Sequence, residues 1–155
     1  MALLDIYSLT DLNPYLSVDE LLEINKFSAP WGLLLSPRDA KLIIEGRNLS
    51  LQNYHRVELS TGVLKHIITE FCSSPYLNQP DYAETLNELV DIFYFMKNET
   101  EDRIGDSDLI DLMKYYFNNS CQGSTDLLRN RELALIVRIL KKSWELTRGD
   151  DNGPK

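Results

Sequence analysis

Apolar residues recur at helical spacing between positions 82 and 96, and this pattern constrains the fold more than any other feature. The spacings are 4, 3, 4 and 3, at Tyr82, Leu86, Leu89, Phe93 and Met96. An α-helix turns once every ~3.6 residues, so these side chains share one face, whereas a strand would alternate every second residue. The opposite face carries Glu84, Glu88 and Asp91. The segment is therefore predicted to be a helix that buries one face in a core.

Five further segments show the same periodicity after a helix-start signal. One of them, Ser36-Pro37-Arg38-Asp39, combines an N-cap serine, a proline at the first helical position and an acid in the first turn. The six helices are predicted to begin near Ser17, Ser36, Ser60, Pro80, Asp106 and Ser124. The predicted fold is all-α, a compact bundle of about six helices with a long C-terminal helix near its centre and no substantial β-sheet.

Short connections and the lack of an internal repeat indicate one helical domain over residues 1–148. Residues 149–155 are polar and are predicted to form a disordered tail. The segment from Tyr54 to Leu59 is ambiguous, because Arg56-Val57-Glu58-Leu59 alternates polar and apolar residues within a helical chain. This segment is either extended or helical.

The formal net charge is -8, and the acidic residues are concentrated in one region. Ten acids lie between Asn78 and Asp111, against the two bases Lys97 and Arg103. Such a chain is repelled by nucleic-acid phosphates and by anionic membranes, so neither is an expected partner. The basic residues near the C-terminus suit the carbonyl end of the last helix, where the helix dipole favours positive charge.

Two cysteines, Cys72 and Cys121, form no CxxC motif and do not indicate a disulfide framework. The first residues, Met1-Ala2-Leu3-Leu4-Asp5, lack the basic and apolar regions of a secretory signal peptide. No apolar stretch is long enough for a membrane span. These features predict a cytoplasmic protein.

Three arrangements were compared with metal sites, and each lacks ligands. An EF-hand with Gly105 at its sixth position would place Ile104 at a ligand position. His66 and Glu70 are too few ligands for zinc. A di-metal bundle needs Glu-x-x-His motifs, which the chain lacks. No metal and no cofactor are therefore predicted.

The leading functional hypothesis is a non-enzymatic protein–protein interaction module that uses an acidic helical face. Its predicted partner-binding residues are Glu84, Glu88, Asp91 and Tyr94. The aromatic runs Phe93-Tyr94-Phe95 and Tyr115-Tyr116-Phe117 cannot face one core with every residue, so Tyr94 and Tyr115 are expected to point outward or into a groove. Charge beside exposed aromatic rings is typical of a partner surface. A wide core around the tyrosines is the alternative.

A second hypothesis is a small-molecule-binding domain or enzyme with a pocket around Tyr54, His55, Arg56 and Glu58. His55 could act as a general base and Arg56 could clamp an anion. No paired nucleophile or phosphate loop accompanies them, so catalysis is the less favoured hypothesis. A structural role is the alternative, with Arg56 pairing an acid and Tyr54 packing on the bundle. A homodimer formed through a helix face is a third hypothesis.

Several phrases together resemble a family of small bacterial proteins. They are Phe27-Ser28 to Gly32-Leu33, Leu35-Ser36-Pro37, Arg56-Val57-Glu58, Ser74-Pro75-Tyr76 and the run Phe93 to Thr100. The family is a domain of unknown function from Gram-positive bacteria, and the resemblance covers roughly residues 17–128. It implies a bacterial cytoplasmic setting but no activity and no site residues.

Overall fold

The computed structural model describes the backbone of residues 14–151 and the side chains of residues 18–146, and its regular structure is helical throughout. The helices are α1 (Pro14–Leu22), α2 (Asn25–Ser28), α3 (Pro37–Asn53), α4 (Gly62–Phe71), α5 (Tyr82–Glu99) and α6 (Asp106–Asn118). Helix α7 joins an α-helical turn (Thr125–Leu127), a π-helical turn (Leu128–Leu133) and an α-helix (Ala134–Asp151) without a break. Short 3-10 turns occupy Ala29–Trp31 and Gln79–Asp81. The all-α prediction is confirmed, with no strand in residues 14–151.

Side-chain caps set several helix starts. The Ser36 hydroxyl accepts from the Asp39 N–H at 3.0 Å, and the Asp39 carboxylate accepts from the Ser36 N–H at 3.2 Å, which completes a capping box. Asn78 caps the 3-10 turn before α5, and Ser124 caps α7. Helix α1 begins at Pro14 rather than at Ser17, and α2 continues the same predicted helical segment after a turn.

Helix α5 lies at the centre of the bundle and packs against α3, α4, α6 and the start of α7. Its predicted seam is buried at every position, at Tyr82, Leu86, Leu89, Phe93 and Met96. The prediction that the C-terminal helix is central is wrong. Helix α7 buries Leu128, Leu133 and Val137, but no residue from 138 to 146 is buried.

The connection between α3 and α4 is not helical over residues 56–59. Arg47, buried on α3, donates to the Glu58 carbonyl at 3.0 Å and to the Ser60 carbonyl at 2.5 Å. One guanidinium therefore holds this segment against the bundle. At the far end, α7 continues through Asp151, past the predicted domain boundary at 148. Residues 1–13 and 152–155, including most of the predicted tail, lie outside the described residues.

Candidate functional site

The predicted acidic face on α5 is divided between solvent and the protein interior. Glu84 is exposed and forms no ion pair within the described part of the chain. Glu88 accepts a hydrogen bond from the Thr125 hydroxyl at the start of α7. Asp91 is only partly exposed, since it faces α3 and α7. The three carboxylates do not form one solvated surface.

Asp91 is an acceptor for three side chains from two other regions. Ser50 Oγ on α3 donates to Asp91 Oδ1 at 2.8 Å, and the Tyr54 hydroxyl donates to Oδ2 at 3.1 Å. The Arg129 guanidinium on α7 donates to the same Oδ2. Burial, and then the Asp91 charge, raises the pKa of Tyr54. Asp91 therefore ties α3 and α7 to the central helix.

Tyr94 is fully buried, so the prediction that it points outward is wrong. Its hydroxyl donates to Glu58 Oε1 at 2.9 Å, and its ring lies edge-on to Phe93 with centroids 5.1 Å apart. Burial raises the pKa of Tyr94, and burial also raises the pKa of Glu58, although the hydrogen bond from Tyr94 opposes the second shift. Tyr94 is buried because α5 is covered on several sides, and a single apolar seam does not reveal this.

Arg56 pairs with an acid, as the structural alternative expected. Its guanidinium donates to Asp102 Oδ1 at 2.6 Å and to Oδ2 at 3.2 Å, and also to Asn98 Oδ1 at 2.8 Å. This hydrogen bonding lowers the pKa of Asp102. The pair links the α3–α4 connection to the loop that follows α5.

The four residues of the predicted pocket diverge. Tyr54 reaches Asp91, Arg56 reaches Asp102, and Glu58 accepts from Tyr94. His55 is exposed and has a positive φ of 57°. The structure therefore assigns three of these side chains to separate contacts with α5 and the loop after it, which is a structural arrangement. The two cavities described below are lined by other residues.

Helix α6 carries a second group of exposed acids, within the acidic region between Asn78 and Asp111. Asp108, Asp111 and Tyr115 are exposed at i, i+3 and i+7, which places them on one side of the helix. Within the described residues neither acid forms a salt bridge, whereas the neighbouring Asp106 pairs with Lys97 at 2.8 Å. We call Asp108, Asp111 and Tyr115 the α6 acidic face. In the sequence, these three residues follow the predicted helix start at Asp106 with spacings of 3 and 4, which would place them on one face. The outward orientation predicted for Tyr115 is confirmed.

Two cavities flank Arg129 in the π-helical turn. The first, of about 450 Å³, lies between α3, α5 and α7 and includes Gly46, Asn87, Glu88 and Asp91 in its lining. The second, of about 560 Å³, lies between α5 and α7, and we call it the α5–α7 cavity. Its lining consists of Phe95, Glu99, Arg129, Asn130, Ala134, Val137, Arg138 and Lys141. No local sequence pattern predicts either cavity, because each depends on how helices distant in the chain come together.

The sequence model of a family of unknown function, DUF6323, matches residues 20–146. The chain belongs to this family. The match runs from α1 into the last part of α7 and so includes the α6 acidic face and the α5–α7 cavity. No curated protein and no solved structure shows detectable similarity to the chain.

Two properties of the described residues bear on membrane insertion and metal binding. None of the helices found there has the length and apolar character needed to cross a membrane. Among the same residues, no group of three or more histidine, cysteine, aspartate or glutamate side chains is placed to hold a metal ion.

Proposed function

We propose that this DUF6323 member is a non-enzymatic interaction module that binds an arginine-containing segment of a partner protein through the α6 acidic face. The observation that carries the proposal is the exposure of Asp108 and Asp111, without ion pairs among the described residues, beside a Tyr115 that is 62% exposed. Glu88 and Asp91, in contrast, are engaged within the protein. Glu84 remains exposed as a peripheral contributor of negative charge.

The chemistry of the α6 acidic face favours arginine over lysine. A planar guanidinium forms two parallel hydrogen bonds with a carboxylate and also stacks on an aromatic ring. The Tyr115 ring lies edge-on to the Tyr116 ring, with centroids 5.2 Å apart, and most of its surface is open to solvent. The net charge of -8 adds long-range attraction for a basic partner.

The experiment titrates the isotopically labelled full-length chain with an arginine-rich peptide and with a lysine peptide of equal charge, followed by NMR. We expect the shifts to centre on α6 and the arginine peptide to bind more tightly. Asp108→Asn with Asp111→Asn should weaken binding about tenfold, and Tyr115→Ala should remove the preference for arginine. The matched control is Asp19→Asn with Glu23→Gln, which removes the same charge from two exposed positions, one on α1 and one in the turn that follows it.

Two results would overturn this function. One is that Asp19→Asn with Glu23→Gln weakens peptide binding as much as Asp108→Asn with Asp111→Asn. Binding would then depend only on the net charge of the protein. The other is the absence of any α6 shift at millimolar peptide. The hypothesis of an enzyme around Tyr54, His55, Arg56 and Glu58 gains no support from the geometry, because those side chains diverge.

We also infer that the protein acts in the cytoplasm of a Gram-positive bacterium. The support is the pair of buried free thiols, Cys72 and Cys121, which suits a reducing compartment, together with the sequence resemblance to Gram-positive proteins. Burial raises the pKa of both thiols, which keeps them protonated and unreactive. Recovery of the chain in the membrane or extracellular fraction of its host would contradict this inference.

A further inference from the structure

The α5–α7 cavity combines apolar walls with an excess of positive charge. Phe95 on α5 and Ala134 and Val137 on α7 supply apolar surface. The cations of Arg129, Arg138 and Lys141 outnumber the one carboxylate in the lining, that of Glu99. Its volume of about 560 Å³ falls within the range of roughly 300–1,000 Å³ that holds small ligands. Ala134 contributes only a methyl group where α7 faces α5, which leaves room for a ligand.

Two of the three cations that line this cavity already pair with carboxylates of the protein. Arg129 donates to Asp91, and its guanidinium lies over the Phe95 ring at 5.2 Å. Lys141 pairs with Glu99 at 3.0 Å. Arg138 forms no salt bridge with any residue that the structure describes, although the chain carries a net charge of -8. Among the side chains that the structure describes, the exposed Arg138 guanidinium therefore has no carboxylate partner, and it lies beside apolar surface.

The π-helical turn Leu128–Leu133 lies at one end of the cavity. A π-turn inserts an extra residue into an α-helix and is found frequently at functional sites. Arg129 belongs to the turn, and Ala134 follows it directly. The π-helical turn therefore supplies one part of the cavity lining, and the regular helix after it supplies the part that includes Arg138 and Lys141.

We propose that the α5–α7 cavity binds a small organic carboxylate with an aromatic or aliphatic body. The carboxylate binds the free guanidinium of Arg138 in the bidentate geometry that arginine favours, with Lys141 close by. The apolar body packs against Phe95 and Val137, which gains hydrophobic energy that a simple inorganic anion lacks. This site is separate from the α6 acidic face and requires no reaction.

The test uses the full-length chain and three probes: naphthoate, its neutral analogue naphthamide, and inorganic phosphate. Calorimetry gives the affinities, and NMR shifts locate the binding. We expect naphthoate to bind in the α5–α7 cavity and to exceed both other probes by at least about tenfold. Arg138→Gln should weaken naphthoate binding by about tenfold. Ala134→Phe should abolish it by filling the cavity, with circular dichroism showing that the helices persist.

Lys142→Gln is the matched control, because it removes one positive charge from an exposed neighbour outside the cavity lining. It should change naphthoate affinity by less than about twofold. Equal effects of Arg138→Gln and Lys142→Gln would overturn the proposal, as would naphthamide or phosphate binding as tightly as naphthoate. Undetectable naphthoate binding at millimolar concentration would also overturn it. The double variant Asp108→Asn with Asp111→Asn should leave naphthoate binding intact, so this test and that of the proposed function fail independently.

Discussion

The carboxylate of Asp91 shows how a residue from an acidic stretch becomes part of the structure. It accepts hydrogen bonds from Ser50 on α3, from Tyr54 directly after α3, and from Arg129 on α7. Its side chain is 30% exposed, so each hydrogen bond is only partly screened by water. Removing a partly buried acceptor leaves several donors unsatisfied, and this costs more than losing one surface charge.

We expect Asp91→Asn to lower the free energy of unfolding by about 2 kcal/mol, because the amide presents one acceptor and turns an N–H group toward existing donors. Urea unfolding followed by circular dichroism measures the change. Glu84→Gln, an exposed acid on the same helix, should stay within about 0.5 kcal/mol of the wild type. Equal effects of both substitutions would show that Asp91 is solvated, as its sequence position suggested.

Individual residues mark the limit of prediction from the sequence. Tyr82 and Phe93 could be placed in the core, because a helical seam identifies the face with the most apolar side chains. Tyr94 could not, since its burial depends on neighbours that cover a second side of α5. The partial burial of Asp91 could not be predicted either, because its donors lie ~40 positions away in the chain and no local pattern brings them together.

At the scale of elements, helix starts were predictable where a short motif determines them. The Ser36-Pro37-Asp39 start needs only neighbouring residues, and the structure forms the capping box there. The π-helical turn Leu128–Leu133 has no such signal, because Leu128 and Leu133 both suit an ordinary helix. An extra residue is tolerated there because tertiary packing aligns the helix on both sides of it.

This alignment predicts how α7 responds to a shortened chain. Deleting Asn130, exposed within the π-turn, should convert the turn to regular α-helix and keep Leu133 and Val137 in the core. Deleting Glu88, exposed within regular α5, should rotate every later residue by about 100° and move Phe93 and Met96 out of the core. We expect the first variant to unfold cooperatively near the wild-type midpoint and the second to lack a native transition. Equal loss in both, measured by thermal melts, would contradict this account.

At the scale of the molecule, the buried apolar residues form one cluster that runs from Leu21 in α1 to Val137 in α7. A contact outside this cluster also joins α7 to the loop after α5. The Arg103 guanidinium, in the loop after α5, lies over the Trp144 ring of α7 at 4.4 Å. Since residues 138–146 of α7 include no buried side chain, the order of this part of the helix depends on such peripheral contacts and on continuity with the core.

One continuous core predicts one cooperative unfolding transition. Far-ultraviolet circular dichroism follows all helices, whereas near-ultraviolet signals follow the packing of buried tyrosines such as Tyr82 and Tyr94. The two urea curves should coincide. Leu86→Ala, at a fully buried position on α5, should lower the free energy of unfolding by about 3 kcal/mol without changing the denaturant slope. Leu49→Ala, at a position 57% exposed on α3, is the matched control and should cost less than about 1 kcal/mol. Loss of helical signal before the tyrosine signal would instead mean that the end of α7 unfolds separately from the core.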